Sequence, residues 1–212
     1  LGERVPLRTL RRYLARTPGY TPRLKKLRKR WRQFLKDKAD VTAAMDFFVV
    51  RTLFFKPLYV FFIIGHSRRV VLHINATFQP HEDWVIQQIR AAFGWDTPVR
   101  FMIMDRDSIF SLKVRLVLKN MGIRPKRTSI RSPWQNGIAE RGVGTVRREL
   151  TDRLVLYTES RARNLIREYV HFYNHHRPHM SLGGDSPNGR PVQERPWGSQ
   201  LTAVPVCDGL HH

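Results

Sequence analysis

AAMDFFVVRTLFFKPLYVFFIIGHSRRVVLHIN, residues 43–75, decides how the chain is read. Three apolar and aromatic runs, Ala43–Val50, Leu58–Ile64 and Val70–Asn75, are separated by Lys56-Pro57 and Gly65-His66-Ser67. Short runs of this kind with turn residues between them predict an antiparallel meander of three strands. Phe47, Phe48, Phe54, Phe55, Phe61 and Phe62 could serve as base-stacking platforms, but at strand spacing the core reading is preferred. Asp46 does not fit a plain core. A carboxylate among FFVV is expensive to desolvate unless a cation sits with it.

Downstream, Pro80 introduces a helix over His81–Phe93, and Val99–Met104 (VRFMIM) reads as a fourth strand that ends in Asp105. Ser111–Met121 reads as a helix, Ile123–Thr128 as a weaker fifth strand, and Gly137–Tyr157 and Arg161–His175 as two late helices. The segment from Ser186, rich in Pro and Gly, is expected to be irregular, and His211-His212 reads as the stub of an affinity tag. Strands, helix, strand, helix, strand and then helices is a mixed α/β order.

The charge is one-sided. The chain has 212 residues, with 38 Lys+Arg against 17 Asp+Glu, a net +21. Residues 1–38 alone hold 14 Lys+Arg and 2 Asp+Glu, a net +12. This arm reads as two amphipathic helices broken at Thr17-Pro18-Gly19, the second opened by Thr21 as cap and Pro22 at its first position. Arg8, Arg11, Arg12, Lys25, Lys26, Arg28, Lys29 and Arg30 are candidate phosphate contacts, against the alternative of a solvated linker helix. A surface so basic is tolerated when a polyanion neutralises it, so the expected partner is double-stranded DNA. A single Cys207 excludes a disulfide framework or a Cys-paired zinc knuckle. The longest apolar run, Leu58–Gly65, is far short of the ~20 residues that span a bilayer, so no membrane partner is expected.

The acids carry the chemistry. Asp46 lies in the first strand, Asp105 ends the fourth, and Glu140 opens the first late helix, where the helix dipole favours negative charge. Three carboxylates at adjacent strand ends make a hard, oxygen-rich site suited to Mg²⁺ or Mn²⁺. Two such ions can activate an attacking oxygen and stabilise the leaving one in phosphodiester displacement. A structural Asp–Arg pair is the alternative for either aspartate alone, and Asp107 is the rival for the second position.

MDFF around Asp46, MDRDSIF around Asp105, SPWQNGIAERGVGTVRREL around Glu140 and YNHHRPHMSLGG from Tyr173 to Gly184 together resemble a bacterial DDE transposase, the retroviral-integrase-like superfamily. The resemblance covers roughly residues 39–192. It implies a ribonuclease-H-like fold, a five-stranded mixed sheet flanked by helices with a basic helical N-terminal arm. The expected divisions are an arm over 1–38, an integrase catalytic core over 39–185 and an irregular tail over 186–212. It further implies an Asp46–Asp105–Glu140 triad holding two Mg²⁺ ions, with Mn²⁺ as substitute, and cleavage at transposon ends followed by strand transfer into target DNA. A homo-oligomer on DNA and a bacterial, cytoplasmic, nucleoid-associated location follow by the same analogy. VPLRTLRRYLAR resembles the last helix of a helix-turn-helix whose earlier helices are missing, and Ser108 stands where relatives tend to carry Gly. An inactive DNA-binding transposase fragment and a ribonuclease-H-like nuclease are the alternative functions.

Around Glu140, Gln135 and Asn136 are candidate DNA contacts, with helix capping the other reading of Asn136. Trp134 either stacks on a base or packs its loop. Val143, Val146, Leu150 and Leu154 form the expected buried stripe. Gly144 would let a DNA backbone approach, with Arg147 and Arg148 as phosphate clamps or as an ordinary solvated face. His171, His175 and His179 have a spacing that invites a zinc reading, but Pro178 breaks the helix before His179, and closure of the fold or a DNA contact is preferred. If the arm holds phosphates, removing residues 1–38 flattens the salt dependence of DNA affinity by about 0.9 in log–log slope per lost contact. A salt titration of duplex binding with and without the arm reads this directly.

Overall fold

The computed structural model describes residues 6, 9, 13, 22–94, 97–129, 132–190 and 203–211, without the side chains of residues 22–25 and 133. Two compact units divide the chain, Leu1–Asp37 and Lys38–His212. In the first, helix α1 runs over Pro22–Asp37. Lys26, Arg28, Lys29 and Arg30 are exposed on it, and Trp31 packs on Phe34 with ring centroids 5.5 Å apart. Arg8, Arg11 and Arg12, the expected first helix and the side chain of Lys25 lie outside the described residues.

The second unit is built on five strands, β1 (Thr42–Arg51), β2 (Pro57–Gly65), β3 (Val71–Thr77), β4 (Phe101–Met104) and β5 (Arg124–Arg127), in the order β3-β2-β1-β4-β5. β1–β2 and β2–β3 pair antiparallel, as the meander predicts, while β1–β4 and β4–β5 are parallel. Parallel neighbours need crossover connections. Helices α2 (Glu82–Ala92) and α3 (Leu112–Asn120) supply them. The His81 side chain accepts from Trp84 N at the start of α2, and Ser111 accepts from Lys113 N and Val114 N at the start of α3.

Side chains alternate across a sheet, and that alternation sorts the core. Ala43, Met45, Phe61, Ile63, Met102 and Met104 face α2 and α3, where they bury Trp84, Val85, Ile89, Val114 and Leu118. Residues of the other parity, Ala44, Phe62, Ile64 and Ile103, are buried on the opposite face. There lie α4 (Gly137–Val146) and α5 (Glu159–His175). The contact of α4 with β2 is close: a Cβ on Gly142 would sit 3.1 Å from Phe62 Cε2 and 3.4 Å from Ile64 Cδ1. Asn174 of α5 fastens the sheet edge, its amide accepting from Val71 N at 2.9 Å and donating to Val71 O at 3.0 Å.

Two expectations are corrected and a third is extended. The helix expected over Gly137–Tyr157 leaves α-geometry at Arg147, winds a π-helical turn through Thr151 and ends there. Val146 and Leu150 are buried, but Val143 and Leu154 only partly. The apolar period runs on past Thr151 because Leu156 returns to the core beside the β1–β2 turn, accepting from Leu53 N at 2.9 Å. Phe48, Phe61 and Phe62 are core, but Phe54 (69% exposed) and Phe55 (77%) are at the tip of that turn. Their spacing extended the strand pattern across a turn that the sequence marks only at Lys56-Pro57. Finally, the described part of the tail is anchored. Ser186 and Pro187 are buried, Val206 pairs with His211 in an isolated bridge, and the His211 ring stacks on Phe172 at 4.7 Å. His211 therefore has a packing role.

Gly142→Val should lower stability by about 2 kcal/mol through overpacking against the fully buried Phe62. Gly144→Ala, whose Cβ meets only the far end of Arg148 at 3.2 Å, should leave stability within about 1 kcal/mol of wild type. Urea midpoints of the two variants check the contrast.

Candidate active site

The register of two strands brings the first two acids together. β1 and β4 pair from Thr42↔Phe101 to Ala44↔Ile103. Two residues further along each strand stand Asp46 and Asp105. Both have the parity of Ala44 and Ile103, so both project to the face that α4 covers. Glu140 lies in the first turn of α4, over that same end of the sheet. Strand pairing, pleat alternation and helix packing therefore converge on one place.

Asp46 accepts from Phe47 N at 2.8 Å and Asp105 from Thr128 Oγ1 at 3.3 Å. Thr128 is itself fixed, its carbonyl accepting from Arg106 Nε at 2.8 Å. Burial pushes Asp46 up to about 7; the Phe47 hydrogen bond opposes this, and the charges of Asp105, Glu140 and Asp107 add to it. Glu140 is likewise raised, by desolvation first and then by Asp105. Among the described residues no three acidic, histidine or cysteine side chains are placed closely enough together to hold a metal ion. The charges of Asp105 and Glu140 nonetheless raise Asp46, and that of Asp105 raises Glu140, which is the electrostatic condition a divalent cation relieves. All three are hard oxygen donors, and the exposed Glu140 has the length to turn inward. The donor set fits Mg²⁺ or Mn²⁺.

The rival Asp107 is exposed and caps its own turn, accepting from Ile109 N at 3.1 Å and Ser108 Oγ at 3.4 Å. Gln135 and Asn136, expected at the DNA surface, are inside. Gln135 Oε1 accepts from Ser129 N at 2.5 Å, and Asn136, only 1% exposed, approaches Met45 O with Nδ2 at 3.5 Å. The 3₁₀ turn Pro133–Gln135 carries both side chains under the loop, and Asn136 makes no side-chain cap to α4. Their place is to brace the loop against β1. Arg147 bonds Val49 O at 3.1 Å and lies 5.6 Å from the Phe48 ring centroid. It is tied to β1, whereas Arg148 lies over Gly144.

Sequence reasoning missed Glu149. The π-helical turn directs it to Arg177, with Nη2–Oε1 at 2.5 Å and Nε–Oε2 at 2.7 Å, and to the Tyr169 hydroxyl at 2.8 Å. Burial alone would raise this carboxyl, but the hydrogen bonds from Arg177 and Tyr169 hold it below the usual range. The RPH segment is thereby clamped to the end of the helix that carries Glu140. Arg177 also lies 5.6 Å from the Tyr173 ring centroid, and His179 packs edge-on to Tyr173 at 4.8 Å. The zinc geometry is absent here: His171 and His175 stack at 4.5 Å on the surface, while His179 is buried.

Residues 121–187 match the Integrase core domain family, a segment that includes Glu140 but neither aspartate. Over 110 residues the chain is 31% identical to the transposase InsD of insertion element IS2A/D/F/H/I/K from Escherichia coli, covering 50% of this chain and 36% of that protein. The InsD of IS2D from Escherichia coli strain K12 matches to the same extent. The chain spans about half the length or less of the curated relatives it matches. Among solved structures, the catalytic core domain of BIV integrase aligns with TM-score 0.53 at 17% identity over 70% of this chain and 91% of that one. The HTLV-2 integrase catalytic core domain in complex with magnesium aligns with TM-score 0.55 at 12% identity over 70% and 93%. The fold is the ribonuclease-H-like fold of these cores.

Burial, then Arg177 and Arg69, push His179 down to about 4. Between pH 6.5 and that value the unfolded chain binds a proton that the folded chain refuses, so stability falls as pH falls. From pH 7 to 5 this costs about 2 kcal/mol. Asp46 acts with the opposite sign, so the difference between wild type and His179→Gln in urea midpoints at the two pH values isolates the histidine; the variant should lose less.

Proposed function

We propose that this chain, which carries an integrase core of the DDE transposase type, is the catalytic part of a transposase that cuts and joins DNA using Asp46, Asp105 and Glu140. The observation that carries this reading is the shared register of β1 and β4, which brings two aspartates level at the end of the sheet where α4 presents a glutamate. The resemblance to the InsD transposases and the integrase core domain supports the substrate, double-stranded DNA at transposon ends and in the target.

Asp46, Asp105 and Glu140 would hold Mg²⁺, two ions in the full site, with Mn²⁺ as substitute. Bound there, divalent metal supplies charge neutralisation of the phosphate and acidifies the attacking oxygen. The protein does the rest. The strand ends fix the two aspartates, the Phe47 and Thr128 hydrogen bonds orient their oxygens, and Glu140 closes the set from the helix. In cleavage, a water oxygen bonds to phosphorus as the P–O bond to the 3′ oxygen breaks, leaving a 3′-hydroxyl. In strand transfer that hydroxyl attacks a target phosphodiester and frees a new 3′-hydroxyl, so bond count is conserved.

The exposed lysines and arginines of α1, together with Arg8, Arg11 and Arg12, would add sequence-independent phosphate contact. Coordinated joining of two ends calls for a homo-oligomer on DNA, acting on the nucleoid in the bacterial cytoplasm. Plasmid nicking and joining in Mn²⁺ at low salt tests the catalytic reading. Glu140→Gln should remove metal-dependent products by about 10³-fold, and Asp105→Asn should weaken Mn²⁺ binding measured by calorimetry. Equal products from wild type and Glu140→Gln would defeat the proposal, and nicks without joined product would reduce it to a nuclease.

A further inference from the structure

Beside Glu140 lies a cleft of about 550 Å³ between α4 and the turn that follows α5. Four arginines line it: Arg69 from the β2–β3 turn, Arg141 and Arg148 from α4 and its π-helical continuation, and Arg177. Arg177 is neutralised by Glu149. Arg69, Arg141 and Arg148 have no carboxylate within ion-pair distance among the described residues. Glu140 is the one acid lining the cleft, so the walls carry an uncompensated positive charge.

Gly142 and Gly144 lie on the α4 side, and the Arg148 guanidinium lies over Gly144, 3.2 Å from where a Cβ would stand. Arg69 takes a left-handed backbone, φ 63°, which a non-glycine residue adopts only at a cost. Met180, 96% exposed, stands at the rim with its apolar side chain in water. The volume is within the range of small-ligand sites and far below that of a duplex, which is ~20 Å across given its two grooves.

We infer that this cleft binds one single-stranded nucleotide of the DNA beside the cut, its phosphate held by Arg69, Arg141 and Arg148 and its sugar and base against Met180. The inference rests on the reading of the chain as a DNA-acting enzyme and adds to it where an unpaired nucleotide goes. Two histidines register the field independently of any ligand. His66 is held below the usual histidine range by burial and then by Arg141 and Arg69, and His179 by burial and then by Arg177 and Arg69. The arrangement differs from generic basic surface such as α1 because it is concave, sized to one nucleotide and lined by arginines that can fork onto phosphate oxygens.

The test is anisotropy of the full chain, in EDTA, with a fluorescein-labelled 20-base-pair duplex that is either blunt or extended by a three-nucleotide 3′ single strand. Wild type should bind the extended duplex about tenfold more tightly, and Arg69→Ala/Arg148→Ala should abolish the preference while leaving blunt binding little changed. The log–log salt slope for the extended probe should fall by about 0.7, the value for one single-strand phosphate. Arg69→Lys/Arg148→Lys should restore most of the slope, which a purely structural role would not. Wild type with no preference for the extension, or a preference that survives in the alanine variant with an unchanged urea midpoint, overturns the inference. The measurement needs no metal and no turnover. Failure of the catalytic reading and failure of this site are therefore separable.

Discussion

The pairing of β1 with β4 is the constraint on which the site depends. Three residue pairs, from Thr42↔Phe101 to Ala44↔Ile103, hold the strands parallel, and Arg100 N donates to Val41 O at 2.7 Å just before them. A slip of one residue would move Asp46 to the opposite face of the sheet, among the aromatic rings that fill the space under α2 and α3. The polar side chains of that face, His73, Asn75 and Gln88, already bond one another, so the desolvation cost would fall on the whole domain. Register is thus set by the price of misplacing a charge as well as by apolar packing.

Much of this was legible in the residues. The alternation of FFVV and FMIM marked strands, and acids embedded in or ending them could be recognised as exceptional because a carboxylate among apolar residues is expensive to desolvate. The glutamate was legible from its place at a helix start. What escaped reading had non-local causes. Gln135 and Asn136 are polar residues in a loop, and only the packing of that loop against Met45 turns them inward. Phe54 and Phe55 look like strand core, and only the position of the reversal exposes them. The end of α4 was overestimated because Leu156 supplies the next apolar position after an interruption, and periodicity alone does not record the interruption.

Glu149 shows a third kind of concealment. In a continuous α-helix it would lie among the charged residues RRE, an ordinary surface position. The wider winding of the π-helical turn changes its direction and brings it onto Arg177 and Tyr169. Short π-helical insertions of this kind occur often at functional sites. Here the effect is mechanical: the last turn of the helix that carries Glu140 is bolted to Tyr169 of α5 and to Arg177 beyond it.

The chain order of the three acids has a consequence for synthesis. Asp46 lies on the central strand and is made early; Asp105 joins it only after α2 has crossed over; Glu140 follows the whole sheet. Domains fold largely as units while translation proceeds, so a chain still on the ribosome can complete its five strands before the last acid has emerged. Such a nascent sheet already carries the basic arm but lacks the glutamate and the clamp from Glu149 to Arg177. Under the proposed function, the segment that would hold DNA is therefore made before the set of acids that would cut it is complete.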